Sequence, residues 1–211
     1  MPRLEVFEQD HLQMAYGIFM LTAKNPVVRK LKRIAKPNIH GHKTWSSSFL
    51  IMDYLQENRL KKNRRVLELG CGWGPAAVYC ASQQKAKVTG LDLDENVFPY
   101  LEVMAAANDC KVKPLQASFG DMKGKQLADF DVVIGADICF WDALVDDLFK
   151  LFKRAKRAGV KKIILADPGR STFDELCEKC EKAWPAAYTH EFWYALEPKR
   201  FEGRLLILDF D

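Results

Sequence analysis

The chain has 211 residues, 48% of them hydrophobic and 28% charged, with a formal net charge of +4. That length accommodates one α/β domain with a sizeable core, and the composition excludes disordered, collagen-like and small disulfide-scaffold classes. No apolar run nears the ~18 residues of a membrane span, and the acid-bearing N-terminus MPRLEVFEQD is unlike a secretory leader, so a cytoplasmic location is expected.

In chain order, residues 1–40 read as helical pieces broken at Asn25-Pro26 and Lys36-Pro37, because a residue before proline is pushed out of the α region. Residues 1–45 are therefore expected to form an N-terminal helical extension, and residues 46–211 the main domain. Between His11 and Met52 there is no Asp or Glu, whereas Lys24, Arg29, Lys30, Lys32, Arg33, Lys36 and Lys43 all fall there. Such a stretch suits an acidic protein, RNA or an anionic membrane surface. Without aromatics arranged for base stacking it reads first as a solvated helix face, and nucleic acid is the weaker partner.

From Ser46 the run SSSFLIMDYLQENRL places Phe49, Leu50, Asp53, Tyr54 and Leu55 at helical spacing, with serines available as caps. Strand and helix patterns then alternate. VLELG (66–70), KVTGLDL (87–93), VKPLQ (112–116), DFDVVIGAD (129–137) and KKIILAD (161–167) are strand-like, and helical patterns follow all but the third. Such alternation predicts a parallel, doubly wound Rossmann-like sheet with helices on both faces. YTHEFWYAL (188–196) and GRLLILDF (203–210) are joined by a loop too short for a crossover helix. They must pair antiparallel, which brings the sheet to seven strands with a C-terminal hairpin.

Glu68-Leu69-Gly70-Cys71-Gly72-Trp73-Gly74-Pro75 puts glycines between a strand and a helix, where a nucleotide-like ligand approaches the backbone closely. Asp92 follows Gly72 by 20 residues at the end of the second strand, placed to accept hydrogen bonds from ribose hydroxyls. Two details disfavour a dinucleotide. Pro75 stands where the third glycine of G-x-G-x-x-G would be, and it suits a first helical turn. A carboxylate at Glu68 would repel a pyrophosphate, whereas it favours a cofactor carrying an ammonium and a sulfonium.

At these residues the sequence resembles the seven-strand S-adenosylmethionine (SAM) methyltransferases, with VLELGCGWG similar to their first motif and VTGLDLD to their second-strand acid. The likeness covers residues 64–211. Within that group it looks like the family 16 protein-lysine methyltransferases, in the branch that acts on the electron-transfer flavoprotein β-subunit; Asp167-Pro168-Gly169-Arg170 resembles a turn of that branch. HKTWSSSFLIMDYL resembles the segment leading into their domain, which implies Trp45 near the cofactor. The resemblance also implies that Glu68, Gly70, Gly72 and Gly74 surround the methionine end, Asp92 the ribose and Leu93 an adenine face. QASFGD would complete the adenine pocket, with Phe119 in place of the usual tryptophan and Asp121 facing the exocyclic amine. The family's D-x-x-Y appears as Asp137-Ile138-Cys139-Phe140, without the phenol hydroxyl.

Asp137 ends the fourth strand, where open α/β sheets bind ligands, and Phe140 and Trp141 follow. A carboxylate beside aromatic walls could orient an acceptor amine, which makes Asp137 the candidate catalytic residue and Phe140 and Trp141 candidate substrate contacts. The alternative for Asp137 is a cap for the helix DALVDDLF. Cys177 and Cys180 have metal or redox spacing but lie in a helical pattern with no second pair, so no metal is expected; with Cys71, Cys80, Cys110 and Cys139 they read as reduced core residues. His40 and His42 could line a substrate entrance. The expected function is SAM-dependent N-methylation of a protein lysine. A small-molecule acceptor, and a SAM-binding module without turnover, are the alternatives.

Overall fold

The computed structural model describes residues 6–7, 11–38 and 40–211. It opens with a small antiparallel sheet, β1 (Val6–Phe7), β2 (Leu12–Ala15) and β3 (Ile18–Leu21). Helix α1 (Pro26–Ile34) follows, with the Asn25 side chain accepting from Val27 N at 2.9 Å. The helical extension expected over residues 1–45 is thus corrected: only α1 is helical before residue 46 among the described residues, and residues 1–5, 8–10 and 39 lie outside them. The reason is local. Tyr16 and Gly17 take φ of 52° and 75° between Ala15 and its partner Ile18, a two-residue hairpin turn whose twist suits paired strands. Pro26, read as a break, begins a helix, where its missing N–H costs nothing.

The main sheet is built from β4 (Arg65–Leu69), β5 (Lys87–Asp92), β6 (Val112–Gln116), β7 (Val132–Ala136), β8 (Lys162–Asp167), β9 (Tyr188–Ala195) and β10 (Phe201–Asp209). Its seven strands run in the order β6-β5-β4-β7-β8-β10-β9. β4 to β8 are parallel, and β10 enters antiparallel between β8 and β9 with Arg204 opposite Asp167. The central strands carry Val, Ile and Leu continuously because both faces are covered. Helices α2 (Ser47–Glu57), α3 (Pro75–Ser82) and α4 (Phe98–Ala107) cover one face; α5 (Gly124–Leu127), α6 (Asp142–Ala158) and α7 (Ser171–Ala183) cover the other.

Helix α2 is apolar on nearly every side because it lies between the sheet and α3. Leu50, Ile51, Met52 and Leu55 are all fully buried, each stabilising the fold by about 1.5–3 kcal/mol over an exposed position. The small sheet packs on α4, with Leu21 N directed at Met104 Sδ. Tyr16 ties it to the far end of the chain: its hydroxyl donates to Asp53 at 2.8 Å, and its N–H donates to Glu197 at 2.7 Å. Lys30 and Arg33 of α1 are exposed, and Lys32 stands 5.8 Å from the Trp73 ring centre. Among the described residues no helix is long and apolar enough to cross a membrane.

Candidate active site

Parallel strands leave a crevice at their carboxyl ends where the connections diverge to opposite faces. Here it is a cavity of about 320 Å³, within the range of small-molecule sites. Its floor is the β4–α3 turn, with Gly70, Gly72 and Gly74 at φ of 59°, 52° and 70°. The last two differ in purpose. A side chain at Gly74 would strike Leu101, so that glycine is required by packing at the start of α3. A side chain at Gly72 would meet nothing within 4 Å in the protein; it would project into ligand space.

Asp92 closes the floor. It accepts from Gly72 N and Asp94 N, each at 3.0 Å, so turn and acid are preassembled as one unit. Burial pushes its carboxyl above the usual range, against the pull of those two N–H groups. Leu93 beside it is 55% exposed. Phe119, with Ser118 and Gly120, forms the next wall, and Trp45 lines the cavity beside His40, their rings 5.9 Å apart.

Several residues singled out in the sequence stand behind the wall. Glu68 is buried and accepts from Ala77 N at 3.0 Å, satisfying one of the orphan donors of α3. Burial pushes its carboxyl up to about 8, and Asp92 adds to that shift. Asp121 is exposed and accepts from the Ser118 hydroxyl at 2.6 Å and from Ser118 N at 3.0 Å, which hold its carboxyl below the ordinary value. Glu68, Gly74 and Asp121 therefore support the cavity without lining it, whereas Trp45, Gly70, Gly72, Asp92, Leu93, Phe119, Asp137, Phe140 and Trp141 line it.

Asp137 is held tightly at φ 59°, a left-handed conformation uncommon for a residue with a side chain. Its Oδ1 pairs with Arg170 Nη2 at 2.8 Å and its Oδ2 accepts from Ser47 N at 3.3 Å. Helix capping was the alternative role for this residue, but α6 has Trp141 at its N-cap. Asp137 instead meets the first N–H of α2, where Ser46 makes no side-chain bond. Arg170 also pairs with Asp167 at 2.6 Å, and the Thr172 hydroxyl donates to Cys139 O. The turns after β7 and β8 are thereby joined.

Beyond Asp137 the cavity opens past aromatic side chains. The His40 ring lies 4.8 Å from Phe140, 5.9 Å from Trp45 and 6.0 Å from Trp141, which is 53% exposed. Leu144 and Asp147, three apart on α6, complete the wall. Sequence reasoning missed both; the i, i+3 spacing puts them on one helix face, but that this face borders the cavity with the 117–120 turn is a tertiary fact. The bridge from Arg170 to Asp137 crosses 33 positions, and no local pattern announces it. His42 does not line the cavity, and Cys177 and Cys180 are free, buried thiols of α7.

These residues fit SAM. A bare backbone at Gly72, a preassembled acid at Asp92 and an apolar flank from Leu93 and Phe119 suit an amino-acid end, a ribose and an adenine in turn.

Comparison with known proteins agrees. A family model described as a methyltransferase domain matches residues 66–162. The electron transfer flavoprotein beta subunit lysine methyltransferase of Danio rerio is 24% identical over 135 residues, covering 62% of this chain and 50% of that protein. Phosphoethanolamine N-methyltransferase 1 of Arabidopsis thaliana is 27% identical over 156 residues, covering 73% of this chain and 30% of that protein. The chain thus spans about half the length of the first relative and less of the second. A solved methyltransferase from Pyrococcus furiosus shares the fold, with a TM-score of 0.59 at 19% identity over 86% of this chain and 95% of its own. Residues 66–162 thus match a methyltransferase domain, on a seven-strand architecture shared with solved methyltransferases; the chain is similar to the lysine methyltransferase branch, and SAM is the cofactor that such a domain implies.

Proposed function

We propose that the chain transfers a methyl group from SAM to an amine nitrogen, with a protein lysine as acceptor. Bound SAM supplies a methyl group on a sulfonium; as the new N–C bond forms, the C–S bond breaks and S-adenosylhomocysteine leaves. Gly70, Gly72 and Asp92 would hold the amino-acid and ribose parts, and Leu93 and Phe119 the adenine. In this reading residues 46–211 are the transferase unit, and His40, Gly41 and Trp45 of the preceding segment supply one side of its mouth.

Lysine as acceptor rests chiefly on one arrangement: the cavity opens beside Asp137 onto the rings of His40, Trp45, Phe140 and Trp141. Aromatic faces attract an ammonium and accommodate its aliphatic stem. They also exclude water from an in-line displacement that otherwise needs little beyond alignment. Asp137 keeps lone pairs for an incoming ammonium, but its charge is offset by Arg170, so it orients the amine. The likeness to a lysine methyltransferase supports the same acceptor. A small-molecule amine is the second reading, supported by His40 and Gly41 standing over one side of the cavity and by the likeness to a phosphoethanolamine methyltransferase. Free thiols at Cys71, Cys80, Cys110, Cys139, Cys177 and Cys180 suit a reducing compartment such as the cytosol.

Incubation with labelled SAM and a heat-treated lysate tests the proposal. Label should enter a protease-sensitive fraction, and Asp92→Ala should weaken SAM binding by about tenfold or more, the scale of hydrogen bonds to a charged group. Label confined to small molecules would support the second reading; tight SAM binding without transfer would leave a binding module.

A further inference from the structure

Resting on the amine transfer proposed above, we propose that His40 is the base that takes the proton from the acceptor ammonium. A lysine amine, with a reference pKa of about 10.4, arrives protonated and has no lone pair until that proton leaves. Four titratable side chains line the cavity: His40, Asp92, Asp137 and Asp147. Asp92 is bound by the Gly72 and Asp94 amides at the ribose end, and Asp137 is paired with Arg170. Asp147 sits on α6 toward the Phe119 turn; seven residues further along that helix, on the same face, Arg154 donates to Phe119 O at 2.8 Å. His40 alone stands among the acceptor rings, and its imidazole nitrogens have no hydrogen-bond partner among the described residues.

Its segment is anchored on three sides. Asn38 N donates to Asp94 Oδ2 at 2.5 Å, Trp73 Nε1 donates to Gly41 O at 2.8 Å, and Trp45 Nε1 donates to the carbonyl of His40 itself at 2.8 Å. His40 also has φ 49°, a conformation that persists only where its surroundings impose it. An anchored segment thus presents one uncommitted imidazole to the mouth. The proton lost from the ammonium goes to a ring nitrogen of His40 and then to solvent, and the freed lone pair forms the N–C bond. The charged or titratable groups nearby are His42 and Lys43, which lie 6.0 Å and 4.2 Å from the Trp45 ring that His40 also meets, and Asp92, Asp147 and the Arg170-paired Asp137, which line the same cavity.

The test is the pH dependence of kcat for His40→Gln and His40→Phe on a lysine acceptor, with Asp147→Asn and His42→Gln alongside. Both His40 variants should lose about 10²-fold at pH 7, the scale of a general base. The deficit should narrow about tenfold per pH unit toward pH 9, as the acceptor sheds its own proton. S-adenosylhomocysteine affinity should stay within a few-fold, and the His42 variant should match wild type. Activity retained in His40→Phe would make the residue a packing group and overturn the proposal, as would a deficit constant with pH, or the pH-dependent deficit appearing in Asp147→Asn instead. Failure of the wild-type protein to methylate any amine would instead refute the amine-transfer function itself.

Discussion

At the scale of single residues, the turn after β4 separates the needs of the fold from those of the ligand. Gly74→Ala forces a methyl into Leu101 at a positive φ, and we expect lost stability along with lost function. Gly72→Ala carries only the conformational penalty of about 1–2 kcal/mol, yet it fills ligand space. It should therefore fold with a modest fall in Tm and lose most SAM affinity, and calorimetry beside thermal melting distinguishes the two variants. Unimpaired SAM binding by Gly72→Ala would remove that backbone from the cofactor site. Glu68 offers a second probe. Its carboxyl is pushed from 4.5 up to about 8 by burial, so the folded chain keeps a proton that the unfolded chain has released across that window. Stability tied to this group is thus present at low pH, falls as pH rises from about 4.5 to about 8, and stays lost above. Glu68→Gln is neutral throughout, so its Tm relative to wild type should rise as pH climbs from about 4.5, with a first gain at pH 6 and a larger one at pH 9. Parallel Tm profiles would show that Glu68 is ionised in the folded protein at both.

At the scale of elements, the acceptor wall depends on an ion-paired bridge. Arg170, at the start of α7, holds Asp137 after β7 and Asp167 at the end of β8, and Asp137 in turn holds the first N–H of α2. Removing the guanidinium leaves two largely buried carboxylates uncompensated, a loss of about 2 kcal/mol or more given its partial exposure. Arg170→Gln should lower Tm by about 5 °C or more and raise the acceptor KM while leaving SAM affinity within a few-fold. Asp137→Asn breaks the same bridge, so the double variant should be little worse than either alone. Additive losses would show that Asp137 acts on the acceptor independently of Arg170. Arg170→Lys should only partly replace the arginine, because one ammonium does not span both carboxylates as the fork does.

At the scale of the whole molecule, what the sequence made legible follows from range. The parallel core announced itself in apolar runs of strand length, and the terminal hairpin in the shortness of its loop; both signals are local. The glycines and Asp92 were legible because a strand-turn-helix unit fixes where each must stand. The N-terminal sheet was not, since Leu12–Ala15 and Ile18–Leu21 carry a pattern compatible with either state and are held as strands by the Tyr16–Gly17 turn and by packing on α4. Nor could the partners of Asp137, the retreat of Glu68 behind the wall or the place of Asp147 be read from composition, because each depends on how the connections fold over the carboxyl edge. These same long-range contacts bring His40, from the N-terminal segment, to a mouth otherwise made by the turn after β7. The chemistry of the product tests the whole arrangement most directly: acid hydrolysis of lysate protein labelled by the enzyme and SAM, followed by chromatography of the amino acids. Label should run with Nε-methylated lysine and fall about tenfold or more with Asp92→Ala at subsaturating SAM; label on arginine, on lipid or on a free metabolite, with none on lysine, would contradict a lysine acceptor.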